Sequence, residues 1–135
     1  YQKRIERMLQ PFGERWRILG YLDEEDFNAF FGACDVFVLA SLNRTESFGI
    51  VQVEALAQGT PVVASDLPGI RIPVIKTGCG ALVPPRDAIA LAEAINRVLD
   101  KCDEKRCDAL DYLDSFKEEN VASAYAKLFE KAIKD

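Results

Sequence analysis

Three short runs govern what this chain can become: Asp35-Val36-Phe37-Val38-Leu39-Ala40, Pro61-Val62-Val63-Ala64-Ser65 and Ala81-Leu82-Val83. Each is apolar nearly residue after residue, without the alternation of a strand that has one wet face. Strands of this kind are covered on both faces, the condition of a parallel sheet sandwiched between helices. The segments between them supply the helices. Asp23 is placed to cap a helix in which Phe27, Phe30 and Phe31 recur at helical spacing as far as Ala33. Gly49 to Gln58 reads as an apolar helix with Gly59 just past its end, and Asp87 caps a third that carries Ile89, Leu91, Ala92, Ile95, Val98 and Leu99. Tyr1 to Gln10 is helical and is stopped by Pro11 and Gly13, Trp16 to Leu22 reads as a further short strand, and Asp66 to Gly80 is rich in turn residues. Two more helical stretches, about Glu104 to Ser115 and Glu118 to Lys134, complete the chain. The alternation predicts right-handed βαβ crossovers: an α/β, Rossmann-like parallel sheet with helices on both faces, with residues 1–135 forming one domain.

Composition narrows the chemistry. The chain has no histidine, which removes Ser-His-Asp triads, Cys-His pairs and His-containing zinc sites. Its 17 basic against 22 acidic residues leave a net charge of −5 with no basic stripe, arguing against a nucleic-acid partner. Cys34, Cys79, Cys102 and Cys107 form no paired C-x-x-C arrangement, and at so low a density four free thiols and no metal are expected. No apolar run reaches the roughly 20 residues of a membrane span and no signal peptide opens the sequence, so a cytoplasmic location is expected.

In an open parallel sheet, ligands bind beyond the carboxyl ends of the strands. Two segments fall there. The first, Ser41 to Ile50, ends where a helix begins, and its free amides together with Gly49 suit a phosphate. Within that helix Glu54 is the sole ionisable group of Gly49 to Gln58, flanked by Ile50 and Ala57. It is half of a structural pair with a Lys or Arg from elsewhere, a partly exposed residue near a pocket mouth, or an acceptor for ligand hydroxyls such as a vicinal diol. Glu46 lies eight residues earlier, about 10 Å away at helical rise, too far for the carboxylate pair of a retaining glycosidase. The second segment is Ser65 to Ile70, where Gly69 either makes a turn or lets the backbone approach the same crevice.

The blocks Ile18-Leu19-Gly20-Tyr21-Leu22, Asp35 to Ser41, Glu46 to Ala55, Gly59 to Ser65 and Leu82-Val83-Pro84-Pro85 together resemble family 4 glycosyltransferases of the GT-B fold. The most specific part is the pair of glutamates Glu46 and Glu54, seven residues between them, with Phe48-Gly49 inside. The resemblance implies the donor-binding, C-terminal domain of a retaining, metal-independent transferase of the hexosyltransferase type, with a nucleotide-diphosphate sugar as co-substrate, no cofactor, and a sugar, lipid or protein acceptor. It implies Glu46 as the catalytic-site residue, contacting hydroxyls of the transferred sugar, and Glu54 as the ribose ligand. Ser47, Phe48, Gly49, Ile50 and Gly69 would complete the donor site, the amides of Phe48, Gly49 and Ile50 meeting sugar and diphosphate.

The same resemblance sets three departures. Nothing before Trp16 matches the family's first two βα units, which carry an Arg and a Lys that clamp the diphosphate; the acceptor domain has no counterpart; and Pro68 precedes Gly69 where the family has a Gly-rich turn followed by Glu. The chain therefore reads as the later part of a two-domain enzyme, inactive alone and able to meet a membrane through the remainder. Its unpaired strand edges are expected either to close on each other or to pair with a second copy as a homodimer. The competing readings are a GT-B-fold sugar-nucleotide epimerase and a non-catalytic α/β interaction module.

Overall fold

The computed structural model describes residues 2–101 and 107–134. The three apolar runs form strands β1 (Phe37–Leu39), β2 (Val62–Ser65) and β3 (Gly80–Val83), all parallel in the order β1-β2-β3. Phe37 pairs with Val62 and Leu39 with Ala64, while Val62 continues to Gly80 and Ser65 to Val83. The pleat sends successive side chains to opposite faces, and the core divides accordingly. Val62, Ala64, Phe37, Leu39 and Leu82 pack on one side with Phe31, Ala55, Leu56, Ile70 and Val74; Val63, Val83, Val38 and Ala81 pack on the other with Ala94, Leu91 and Val98. Every side chain of β2 is buried, as the absence of polar alternation predicted.

The helices follow their caps. After α1 (Gln2–Leu9) and a 3-10 turn at Gln10–Arg15, α2 (Glu24–Ala33) starts where Asp23 accepts the Asp26 amide at 2.9 Å. Helix α3 (Ile50–Ala57) follows β1, and α5 (Ala88–Leu99) starts where Asp87 accepts the Ala90 amide at 2.9 Å. Just before that cap, Arg86 holds a left-handed backbone at φ 68°. Between β2 and β3 lies α4 (Ile72–Thr77), within the stretch read as turns; Pro73 sits in its first turn, where a missing N–H costs nothing. The chain ends with α6 (Leu110–Asp114) and α7 (Glu118–Lys134); the expected helix from Glu104 begins in residues 104–106, outside the described residues. Among the described residues no helix is long and apolar enough to cross a membrane.

Two expectations are corrected. Trp16 to Leu22 is not a strand: it runs as irregular chain, with Tyr21 96% exposed and Ile18 and Leu19 also open to solvent. It has the composition of a strand but no ladder to join, since β1 pairs with β2 alone among the described strands. Direct closure of this segment on β1 does not occur. Nor are the cysteines all free: Cys79 and Cys107 form a disulfide across a sequence separation of 28, Cα atoms 5.5 Å apart. The chain returns from α5 to lie beside the start of β3, where the Cys107 amide reaches the Gly59 carbonyl at 3.3 Å. That return is a tertiary event invisible to cysteine spacing. Cys34 is a free thiol, and Cys102 lies outside the described residues.

Candidate functional site

The loop after β1 is built from local hydrogen bonds. Asn43 Oδ1 accepts the Thr45 amide at 3.1 Å and its hydroxyl at 2.6 Å, turning the chain toward Glu46. Glu46 Oε1 then accepts the Gly49 amide at 3.0 Å, so a carboxylate already occupies one of the free donors at the start of α3. Gly49 is the N-cap residue of that helix, with a left-handed backbone (φ 73°, ψ 64°). The left-handed backbone favours glycine, and a Cβ there would come within 2.6 Å of Leu39 Cδ2 and 2.8 Å of Gln52 Nε2, so those side-chain ends would have to shift. The amides of Phe48 and Ile50, expected donors to sugar and diphosphate, have no acceptor among the described residues. Ser47 and Ile50 are exposed, and Phe48 is half-buried with its ring 5.9 Å from that of Phe116.

The second predicted segment meets the first. A Cβ on Gly69, itself at φ 85°, would fall 1.8 Å from the Ser47 carbonyl oxygen, so these two backbones touch where only a glycine fits. Beside them Arg71 Nε lies 3.1 Å from Asp66 Oδ1, an ion pair that is not aligned as a hydrogen bond. Arg71 thus neutralises its own loop.

Glu54 is half-buried on α3 and, among the described residues, has neither ion pair nor hydrogen bond. No ion pair to this carboxylate forms among the described residues, and its partial exposure agrees with a position open to solvent. A residue missed by sequence reasoning stands two positions earlier. Gln52 is fully buried, and its Nε2 donates to the Phe48 carbonyl at 3.1 Å and to the Ile70 carbonyl at 3.0 Å. Nothing in the sequence marked it, because a glutamine in a helix is ordinarily a solvated residue. At 100° per residue Gln52 and Glu54 stand about 160° apart around α3, and it is Gln52 that is turned into the loop junction.

A cavity of about 550 Å³ lies at the opposite end of the sheet, lined by Cys34, Thr60, Gly78, Cys79, Lys101 and Cys107 among others, with none of the candidate donor residues. Those residues form a surface instead. No group of three or more metal-ligating side chains occurs among the described residues.

The family described as glycosyl transferases group 1 matches residues 2–112. The chain is 44% identical over 86 residues to a phosphatidyl-myo-inositol mannosyltransferase of Mycobacterium leprae, covering 64% of this chain and 23% of that protein. It is 34% identical over 124 residues to a D-inositol 3-phosphate glycosyltransferase of Corynebacterium glutamicum, covering 89% of this chain and 29% of that protein. Among solved structures, a sucrose-phosphate synthase from Thermosynechococcus elongatus superposes with a TM-score of 0.81 at 34% identity, over 98% of this chain and 34% of that one. The chain thus spans between 23% and 34% of the length of these relatives, and its sheet is a Rossmann-like part of a GT-B fold. Given the extent of the family match and the agreement of the fold, this chain belongs to the glycosyl transferases group 1 family.

Proposed function

We propose that the protein containing this chain transfers a hexose from a nucleotide-diphosphate sugar to an acceptor with retention of configuration and without a metal, and that this chain holds the donor. The reading is carried by Glu54, a half-buried carboxylate in an apolar helix with no protein partner among the described residues. A half-buried carboxylate with no protein donor keeps its acceptor oxygens available; ribose hydroxyls of the nucleotide supply donors for them. Glu46 takes hydroxyls of the transferred sugar, exchanging its present bond to the Gly49 amide for them. The freed amide joins those of Phe48 and Ile50 at the start of α3, where the helix dipole favours the negative charge that grows on the departing diphosphate. The contact between Gly69 and Ser47 sets the floor of this site. Residues 1–135 alone, without the cationic clamp that the family carries upstream, are expected to bind donor weakly and turn over none.

Kinetics of the full-length protein test the assignment. With UDP-, GDP- and ADP-sugars as donors, Glu54→Ala should raise the donor KM by about ten- to a hundredfold, the loss of hydrogen bonds to a charged group. Glu46→Ala should lower kcat with a smaller change in KM. Wild-type kinetics in both variants would remove the assignment.

A further inference from the structure

We infer that Gln52 is a positioning residue that clamps the two donor-site loops into one wall, an inference that rests on the donor-binding reading above. The side chain is completely buried and spends both amide hydrogens on carbonyls from different segments, Phe48 from the loop after β1 and Ile70 from the loop after β2. The two acceptors stand 22 residues apart in sequence, so the amide joins what the chain does not. The orientation of the amide is fixed by these partners: the reversed arrangement would set Oε1 against two carbonyl oxygens. Oε1 itself is buried and has no partner. Two modest net bonds against one unsatisfied buried acceptor nearly cancel in stability. What the residue contributes is therefore geometry rather than stability.

That geometry is narrow on both sides. A Cβ on Gly49 would displace Gln52 Nε2, and Gly69 leaves no room for one beside Ser47. With the amide in place, the Phe48-Gly49 amides and the Gly69 backbone keep one fixed spacing, and a diphosphate sugar meets a preformed surface. Without it the loops are joined by contact alone and must be ordered by the donor, which lowers affinity.

The test uses the full-length protein and whichever nucleotide sugar it turns over from a UDP-, GDP- and ADP-sugar panel. Gln52→Met keeps the length and removes both donors together with the orphaned oxygen. Donor KM should rise about tenfold with kcat changed little, the loss expected for one positioning contact, while the melting temperature falls modestly because the Phe48 and Ile70 carbonyls lose a donor as the orphaned oxygen is removed. A melting temperature that falls while KM stays at the wild-type value would make Gln52 merely structural and overturn the inference. A second measurement needs no variant: in wild-type protein, the hydrogen-bonded amides of Gly49 and Gln52 on one loop and of Arg71 and Ile72 on the other should exchange with solvent through a common opening, and loops that open independently would also overturn it. A wild type that uses no donor in the panel would sink the donor-binding reading instead. The two failures are distinguishable, since the second leaves the common opening of the loops intact.

Discussion

At position 69 a single hydrogen atom is all that separates two backbones. Gly69→Ala would drive a methyl group into the Ser47 carbonyl, and because backbone cannot swing aside as a side chain can, the loops must part. A left-handed backbone at an alanine adds strain on the order of 1–3 kcal/mol. The expected outcome is a lowered melting temperature together with a raised donor KM, and calorimetry with donor titration checks both. A second residue-scale prediction concerns Cys34. Burial, with help from the Asp35 carboxylate, pushes its thiol pKa above the ordinary value. Because the protonated form is the one favoured, alkylation should be slow at neutral pH and accelerate only as pH climbs past the ordinary thiol range; a rate profile against iodoacetamide measures it. The close approaches at Gly49 and Gly69 were legible because a glycine before a helix or in a turn marks such a place. Glu54 stood out as the one charge in an apolar helix, whereas the role of Glu46 comes from the family resemblance and stays a proposal. Gln52 was not legible, since its partners come from two segments that only folding brings together.

Elements were legible where their cause is local and lost where it is not. The buried strands announced themselves by composition, and Asp23 and Asp87 by their places before apolar helices. Trp16 to Leu22 had the right residues but lacks a neighbour to hydrogen-bond, and propensity without a ladder does not make a strand. Helix α4 escaped notice because Pro73 and the surrounding glycines read as turn punctuation, although proline is welcome in a first turn. One bond between elements invites a stability test. Thr60, ahead of β2, donates its hydroxyl to the Phe31 carbonyl near the end of α2 at 2.5 Å, and the pair is buried. Thr60→Val keeps the shape and removes one of two donors to that carbonyl, which retains the Cys34 amide at 3.0 Å, so a loss of about 0.5–1.5 kcal/mol in urea unfolding is expected. Its absence would mean that water replaces the hydroxyl.

For the molecule as a whole, the family's order of blocks was readable, whereas the return of the chain to Cys79 was not. Closing a loop of 28 residues restricts the unfolded chain by about 3–4 kcal/mol in the entropic model. Reduction with a small dithiol should lower the unfolding midpoint accordingly, and a Cys79→Ser, Cys107→Ser variant should be indifferent to it. With direct closure of Trp16 to Leu22 on β1 removed, pairing of the β1 edge with a second copy remains our proposal; sedimentation that stays monomeric up to high concentration would refute it. Because all three strands run the same way, the sheet has two unlike poles: candidate chemistry gathers where they end, while the disulfide, the roomy cavity and Cys34 gather where they begin. A dye or surface tether attached at Cys34 would therefore ride as a spectator, reporting on the molecule without crowding the proposed donor site.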